Sequence, residues 1–263
     1  MGLLDFLNTP YAVVIVLLLF AFLPPILFLI WVRNTERYGR EPWFAVIKVF
    51  VWGAVFAVII SVILTLALTW LYNKFAPAYD ILGTEQTLFS ILVVLVVAPF
   101  VEEAAKALGI YTTSYNINEP EDGIVYGAAS GLGFSATENL FYGIAALVTL
   151  GPTGSITLIV VRSISSTLLH ASATSTTGLG VGRNMVSEGK VRVAPYYLIA
   201  VAMHASYNFF ASFGTLYESS FGENGYLFGF VVAWIFAIIA FSILRGKIVK
   251  SDHGATSRWR RAA

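Results

Sequence analysis

Seven stretches of the chain are almost wholly apolar, and short polar connections separate them. They run Tyr11–Val32, Trp43–Tyr72, Leu88–Tyr111, Gly123–Leu150, Ser155–Val181, Ala194–Phe213 and Gly225–Leu244. Each has roughly the 20 residues that a helix needs to cross a bilayer core. The pattern predicts an all-α fold, a polytopic membrane helix bundle of about seven transmembrane helices. Pro24 and Pro25 should kink the first helix, and Trp31 stands where an interfacial anchor is expected. The positive residues orient the bundle. Arg33, Arg37, Arg40 and Lys48 lie in or beside the first connection, and Arg183, Lys190 and Arg192 lie in the fifth. The tail adds Arg245, Lys247, Lys250, Arg258, Arg260 and Arg261. The second, fourth and sixth connections hold only Lys74, with Asp80, Glu85, Glu218 and Glu223 as acids. An amino terminus outside and a carboxyl terminus in the cytoplasm satisfy every bias. No linker, repeat or low-complexity tract interrupts the pattern. Residues 1–263 therefore read as a single membrane-embedded domain, with 251–263 as a basic cytoplasmic tail.

Composition strengthens this reading. Hydrophobic residues make up 57% of the chain and charged residues only 12%, about half the charge of a soluble domain. The lipid bilayer is the first partner implied. A net charge of +1 gives no footing for nucleic acid. Without cysteine there is no disulfide, thiolate ligand or cysteine nucleophile. Residues 1–10 lack the basic region of a signal peptide, and Phe6 occupies the position where a myristoylation site needs Ser or Thr. The residues carry no signal of oligomeric state.

Against this background the few polar residues inside the apolar segments stand out. Segment three ends in Glu102, Glu103 and Lys106, and helical spacing returns the lysine to the face of the two carboxylates. At a bilayer's centre each such group costs roughly 2.5–3.5 kcal/mol, so a buried functional site competes with a helix end lying in the headgroups. Segment four has a small-residue ridge at Gly127, Gly131 and Ser135, read as a packing seam, followed by Glu138 and Asn139. Segment five carries Arg162, Ser166, His170 and Thr174 at four-residue steps. An arginine there needs a carboxylate partner. Segment six carries His204 and Asn208 on one face.

Such residues gathered in one interior cavity suit two tasks. One is hydrolysis, in which a glutamate takes a proton from water and histidines or a metal stabilise the oxyanion. The other is proton or ion transport along a polar relay, although no inverted repeat is evident. A membrane adaptor with a structural polar network is a third reading.

Four motifs in order give a resemblance. They are the Arg37–Trp43 element containing Glu41-Pro42, Glu102-Glu103-x-x-Lys106, Pro120–Gly127 leading into Gly131–Asn139, and His170 with His204-x-x-x-Asn208. The chain resembles the PrsW family of intramembrane proteases, within the superfamily of the type II CAAX prenyl endopeptidases. It departs from the prenyl endopeptidases where Phe134 is followed four residues later by Glu138 instead of histidine. The resemblance implies an endopeptidase of the prokaryotic cell membrane that cuts membrane-anchored proteins, such as anti-sigma-factor-like regulators. Carried over, Glu102 or Glu103 is the general base. Glu102 is favoured because it stands i, i+4 to Lys106, with Glu103 orienting a neighbouring helix. Glu138, His170 and His204 become the metal ligands, and Asn208 an oxyanion donor or supporting partner. Asn139 and Arg162 support the site. Mixed histidine and carboxylate ligation implies zinc, and metal-free glutamate chemistry is the other route.

Overall fold

A computed structural model describes the backbone of residues 10–36, 39–79 and 86–262, and the side chains of 11–36, 39–75 and 89–251. Arg37, Asp80, Glu85, residues 1–9 and the side chains of the tail beyond 251, among them Arg258, Arg260 and Arg261, lie outside the described residues. The described chain is helical apart from short connections and contains no strand.

Helix α1 is Pro10–Thr35, uninterrupted through Pro24 and Pro25. Helix α2 runs from Trp43 to Tyr79 and contains a π-helical turn, Trp52–Ala57. Helix α3 spans 86–111, with a second π turn at Val93–Val97. This π turn has a physical cause. Pro99 removes one backbone donor and crowds the carbonyl four residues earlier, and a wider turn relieves both. The next stretch, Pro120–Val186, is helical over 67 residues except at Gly151, where φ is 70°. That left-handed geometry suits glycine, and Pro152 follows immediately. Residues 120–150 (α4) and 152–186 (α5) fold back on each other. Ser155 donates to the Gly143 carbonyl at 2.6 Å, Thr167 meets Ser135 at 3.0 Å, and Ser175 donates to the Ile124 carbonyl at 2.9 Å. Helix α6 is Ala194–Ala211, and α7 is Glu223–Ala262.

Four helices are long and apolar enough to cross a membrane: Tyr11–Thr35, Trp43–Phe75, Pro120–Val186 and Glu223–Ser251. The protein is a multi-pass membrane helix bundle.

Helix α4 is its axis, buried continuously from Glu121 to Ala136. Its small residues let backbones approach from several sides. A Cβ on Gly133 would strike the Phe50 carbonyl of α2, and one on Gly131 would strike the His170 carbonyl of α5. The glycine ridge is thus the seam along which α5 is laid. Gly131→Ala is expected to push α5 outward at His170 and to destabilise the protein by about 1–3 kcal/mol, the usual cost of overpacking. Thermal unfolding in one detergent would test this. An unchanged midpoint would refute it.

At the end of the bundle where α1 meets α2, Glu41 is buried and accepts a hydrogen bond from the Tyr126 hydroxyl of α4. The Glu41 backbone carbonyl accepts from Arg33 at 2.9 Å. Burial pushes the Glu41 carboxyl up from 4.5 to about 8; Asp122 adds to this, while Tyr126 and Arg33 oppose it. The folded protein then keeps a proton that the unfolded chain releases between these values. Stability from this group is full below about pH 4.5 and is lost as pH rises towards 8. Glu41→Gln is expected to flatten the decline in melting temperature between pH 5 and 8. Equal slopes in both proteins would count against this account.

Candidate active site

Helices α3, α4, α5 and α6 deliver every ionisable residue singled out within the apolar segments to one buried cluster. On α3, Glu103 and Lys106 are fully buried. Lys106 Nζ lies 2.6 Å from Glu103 Oε1 and 3.8 Å from Glu102 Oε2. It also donates to His170 Nδ1 at 2.9 Å and sits 4.4 Å over the Phe134 ring. Glu103 uses both oxygens. Oε1 meets Lys106 and, at 3.0 Å, His204 Nδ1, while Oε2 accepts from the Thr174 hydroxyl at 2.9 Å. One carboxylate therefore joins α3 to α5 and α6.

These contacts fix the imidazoles. Glu103 accepts, so His204 Nδ1 carries the hydrogen and Nε2 presents a lone pair. Lys106 donates to His170 Nδ1, which places the His170 hydrogen on Nε2, where it donates to Glu138 Oε2 at 3.0 Å. The two rings meet edge to face, with centroids 4.8 Å apart.

Glu138 also takes the predicted cation. Arg162 Nη2 donates to its Oε2 at 2.7 Å, and Arg162 Nε donates to Asn139 Oδ1 at 3.1 Å. Asn139 in turn donates to Ser135 and Thr167. The Tyr142 ring lies 3.7 Å from the guanidinium carbon. Glu138 is thus neutralised and held on two sides.

Glu102 differs. Its Oε2 is buried, has no hydrogen-bond partner among the described residues, and lies 3.8 Å from His204 Nε2. Side-chain exposure is 13% for Glu102 and 19% for Glu138, against zero for Glu103 and Lys106. Both more open carboxylates border a groove of about 250 Å³ between α2, α3 and α4, whose other walls include Val58, Ser61, Val62 and Phe141.

Asn208 stands one turn beyond His204 and donates to the Val94 carbonyl in the π turn of α3, at 3.0 Å. This bond braces α6 against α3. The sequence reading left out Thr174 as a partner of Glu103, Tyr142 under Arg162, and Phe134 beneath Lys106. Tyr142 is one turn after Glu138, and that spacing is a usable signal.

Among the described residues, the donors that come within 4.8 Å of one another are Glu102, His170 and His204. The sequence grouping had Glu138 in place of Glu102. A His₂Glu set is one zinc accepts. Glu102 Oε2 and His204 Nε2 present free lone pairs. His170 can join them through Nδ1, whose lone pair is freed when Lys106 turns fully to Glu103, with the Nε2 hydrogen still on Glu138.

Fold and cluster together define a polytopic membrane protein with a buried glutamate–histidine centre beside a lateral groove. The sequence model of the PrsW family of intramembrane metalloproteases matches residues 41–241, and the chain belongs to that family. It is 34% identical over 129 residues to the protein named Protease PrsW of Clostridioides difficile (strain 630), which is 48% of this chain and 50% of that protein. The match thus spans about half the length of this curated relative. No solved structure matches the chain. Family membership does not favour the transporter reading.

Proposed function

We propose that the protein is an intramembrane endopeptidase that uses Glu102 to activate water against a peptide bond of a membrane-anchored protein substrate. The observation that carries this reading is Glu102 Oε2, a buried oxygen without a hydrogen-bond partner among the described residues, at the edge of a groove between helices. A carboxylate in that state can accept a proton from water. The attack leaves negative charge on the carbonyl oxygen, and the fully buried Lys106 ammonium, 3.8 Å from Glu102 Oε2, stands where it can offset that charge. Glu102 then returns the proton to the leaving amine. Glu103 holds His204 in one tautomer, and Glu138 does the same for His170. Asn139 and Arg162 position Glu138, and Asn208 positions α6.

In a metal-loaded protein Glu102, His170 and His204 would hold a divalent ion, zinc by donor type, and Glu102 would then serve as a ligand, leaving the metal rather than a free carboxylate to activate the water. When bound, such an ion supplies Lewis acidity and lowers the pKa of water. The groove offers a sideways path for an apolar segment. Anti-sigma-factor-like regulators of the cell membrane are the substrate class we favour by family, with seven crossings and a cytoplasmic tail.

Two measurements test this. Membrane-protein amino termini compared between cells making wild type and Glu102→Gln should include products absent from the variant; identical sets would refute proteolysis. Purified wild type should hold about one zinc per chain, lost in His170→Ala and His204→Ala. A folded, metal-free wild type that still cleaves would assign the chemistry to glutamate alone.

A further inference from the structure

A second cavity shares no lining residue with the groove beside Glu102 and Glu138. It is a slot of about 360 Å³ between α5, α6 and α7, floored by Ile124 of α4. The serine and threonine hydroxyls along it are already committed to backbone carbonyls. Ser172 donates to the Leu168 carbonyl at 2.7 Å, Ser175 to the Ile124 carbonyl at 2.9 Å, and Thr176 to the Ser172 carbonyl at 3.0 Å. What remains facing the slot is mainly hydrocarbon, from residues such as Leu179, Met203, Phe236 and Leu244. A slot of that kind is filled by apolar chain, not water.

One end has a different character. Lys247 borders it and is exposed, with no ion-pair partner among the described residues. Tyr196 borders it too, and its hydroxyl accepts from Arg183 at 2.7 Å, which brings an exposed guanidinium to the same end. Glu121 at the start of α4 does not line the slot, and its Oε2 accepts from the Ser251 hydroxyl at 2.7 Å. The slot therefore ends at two cations that lack carboxylate partners among the described residues.

We infer that this slot binds one anionic phospholipid, with an acyl chain between α5, α6 and α7 and the headgroup phosphate on Lys247 and Arg183. Size favours a lipid over a peptide. From Phe236 to Lys247 the slot extends about 16 Å along α7, the reach of an extended acyl chain of about a dozen carbons. Charge favours an anionic lipid over a zwitterionic one, because basic pockets between transmembrane helices select such headgroups. The slot also backs onto the catalytic helices. Ser172 is two residues from His170, and Met203 adjoins His204. A bound chain fills the space behind the elements that carry the two imidazoles.

The test uses full-length, detergent-purified protein and native mass spectrometry, with phosphatidylglycerol and phosphatidylcholine of identical acyl chains. Wild type should retain one phosphatidylglycerol per chain with a roughly thirtyfold preference, since two basic groups near the surface at about 1 kcal/mol each sum to about 2 kcal/mol. Lys247→Gln with Arg183→Gln should abolish the preference. Ala240→Phe, which fills the slot, should reduce retention of both lipids. Melting temperatures of the variants, whose changes lie at the surface or on the slot wall, report whether they fold. Equal retention of the two lipids by wild type would overturn the inference, as would a preference that survives the double change. Competition by glycerol phosphate as effective as by the lipid would also overturn it, by assigning the cations to a free phosphate ester.

Discussion

Glu102→Gln is expected to yield a folded protein whose cleavage rate is lower by about 10²–10⁴-fold, the range general acid–base groups supply. The argument rests on what the oxygen touches. Glu102 Oε2 makes no hydrogen bond among the described residues, and its neighbours Lys106 and His204 stand 3.8 Å away. An isosteric amide removes the proton acceptor and sacrifices little structure. The other two glutamates give controls of a different kind. Glu103→Gln takes the charge from Lys106 and leaves His204 only a neutral amide acceptor, and Glu138→Gln takes the charge from Arg162. Both should lower the melting temperature and the rate together. A rate assay beside thermal unfolding separates the cases. Activity within tenfold of wild type in Glu102→Gln would remove this residue as the base, and equal destabilisation by all three changes would remove the distinction.

The contrast among the three glutamates shows where sequence reading ends. That Arg162 requires a carboxylate follows from the energetics of charge in hydrocarbon, and the structure supplies Glu138. Which carboxylate lies beside the two imidazoles does not follow. Glu102 lies downstream of the π turn Val93–Val97, and a π turn rotates everything beyond it relative to a regular helix. A run of Val and Leu gives no periodic mark of that turn, so the facing of Glu102 is invisible in the pattern. The hairpin of α4 and α5 was open to reading, because Gly151-Pro152 interrupts the apolar run and the small residues face one side. The partners were not: Gly131 meets the His170 carbonyl and Gly133 the Phe50 carbonyl only because α4 is surrounded on several sides. Tyr126 with Glu41 escaped for the same reason, since the two are far apart in the chain and neither pattern nor propensity joins them.

Lys106→Met carries the largest expected cost in stability. The ammonium is fully buried, 2.6 Å from Glu103 Oε1 and 2.9 Å from His170 Nδ1. Removing it strands the Glu103 charge inside the bundle, and breaking one side of a buried pair typically costs about 3–5 kcal/mol. Much of that cost belongs to the orphaned partner, so Glu103→Gln with Lys106→Met should be more stable than Lys106→Met alone. Unfolding of the two single variants and the double variant in one micelle gives the coupling directly. Additive effects would show that the pair does not act as a unit. Restored stability should not bring back cleavage. In the double variant a neutral amide replaces the carboxylate that holds His204 Nδ1–H, and His170 loses the donor that places its hydrogen on Nε2. A protein that regains its melting temperature and remains inactive would show that Glu103 and Lys106 set the imidazole tautomers as well as holding the helices. Recovery of both together would reduce the pair to a structural role.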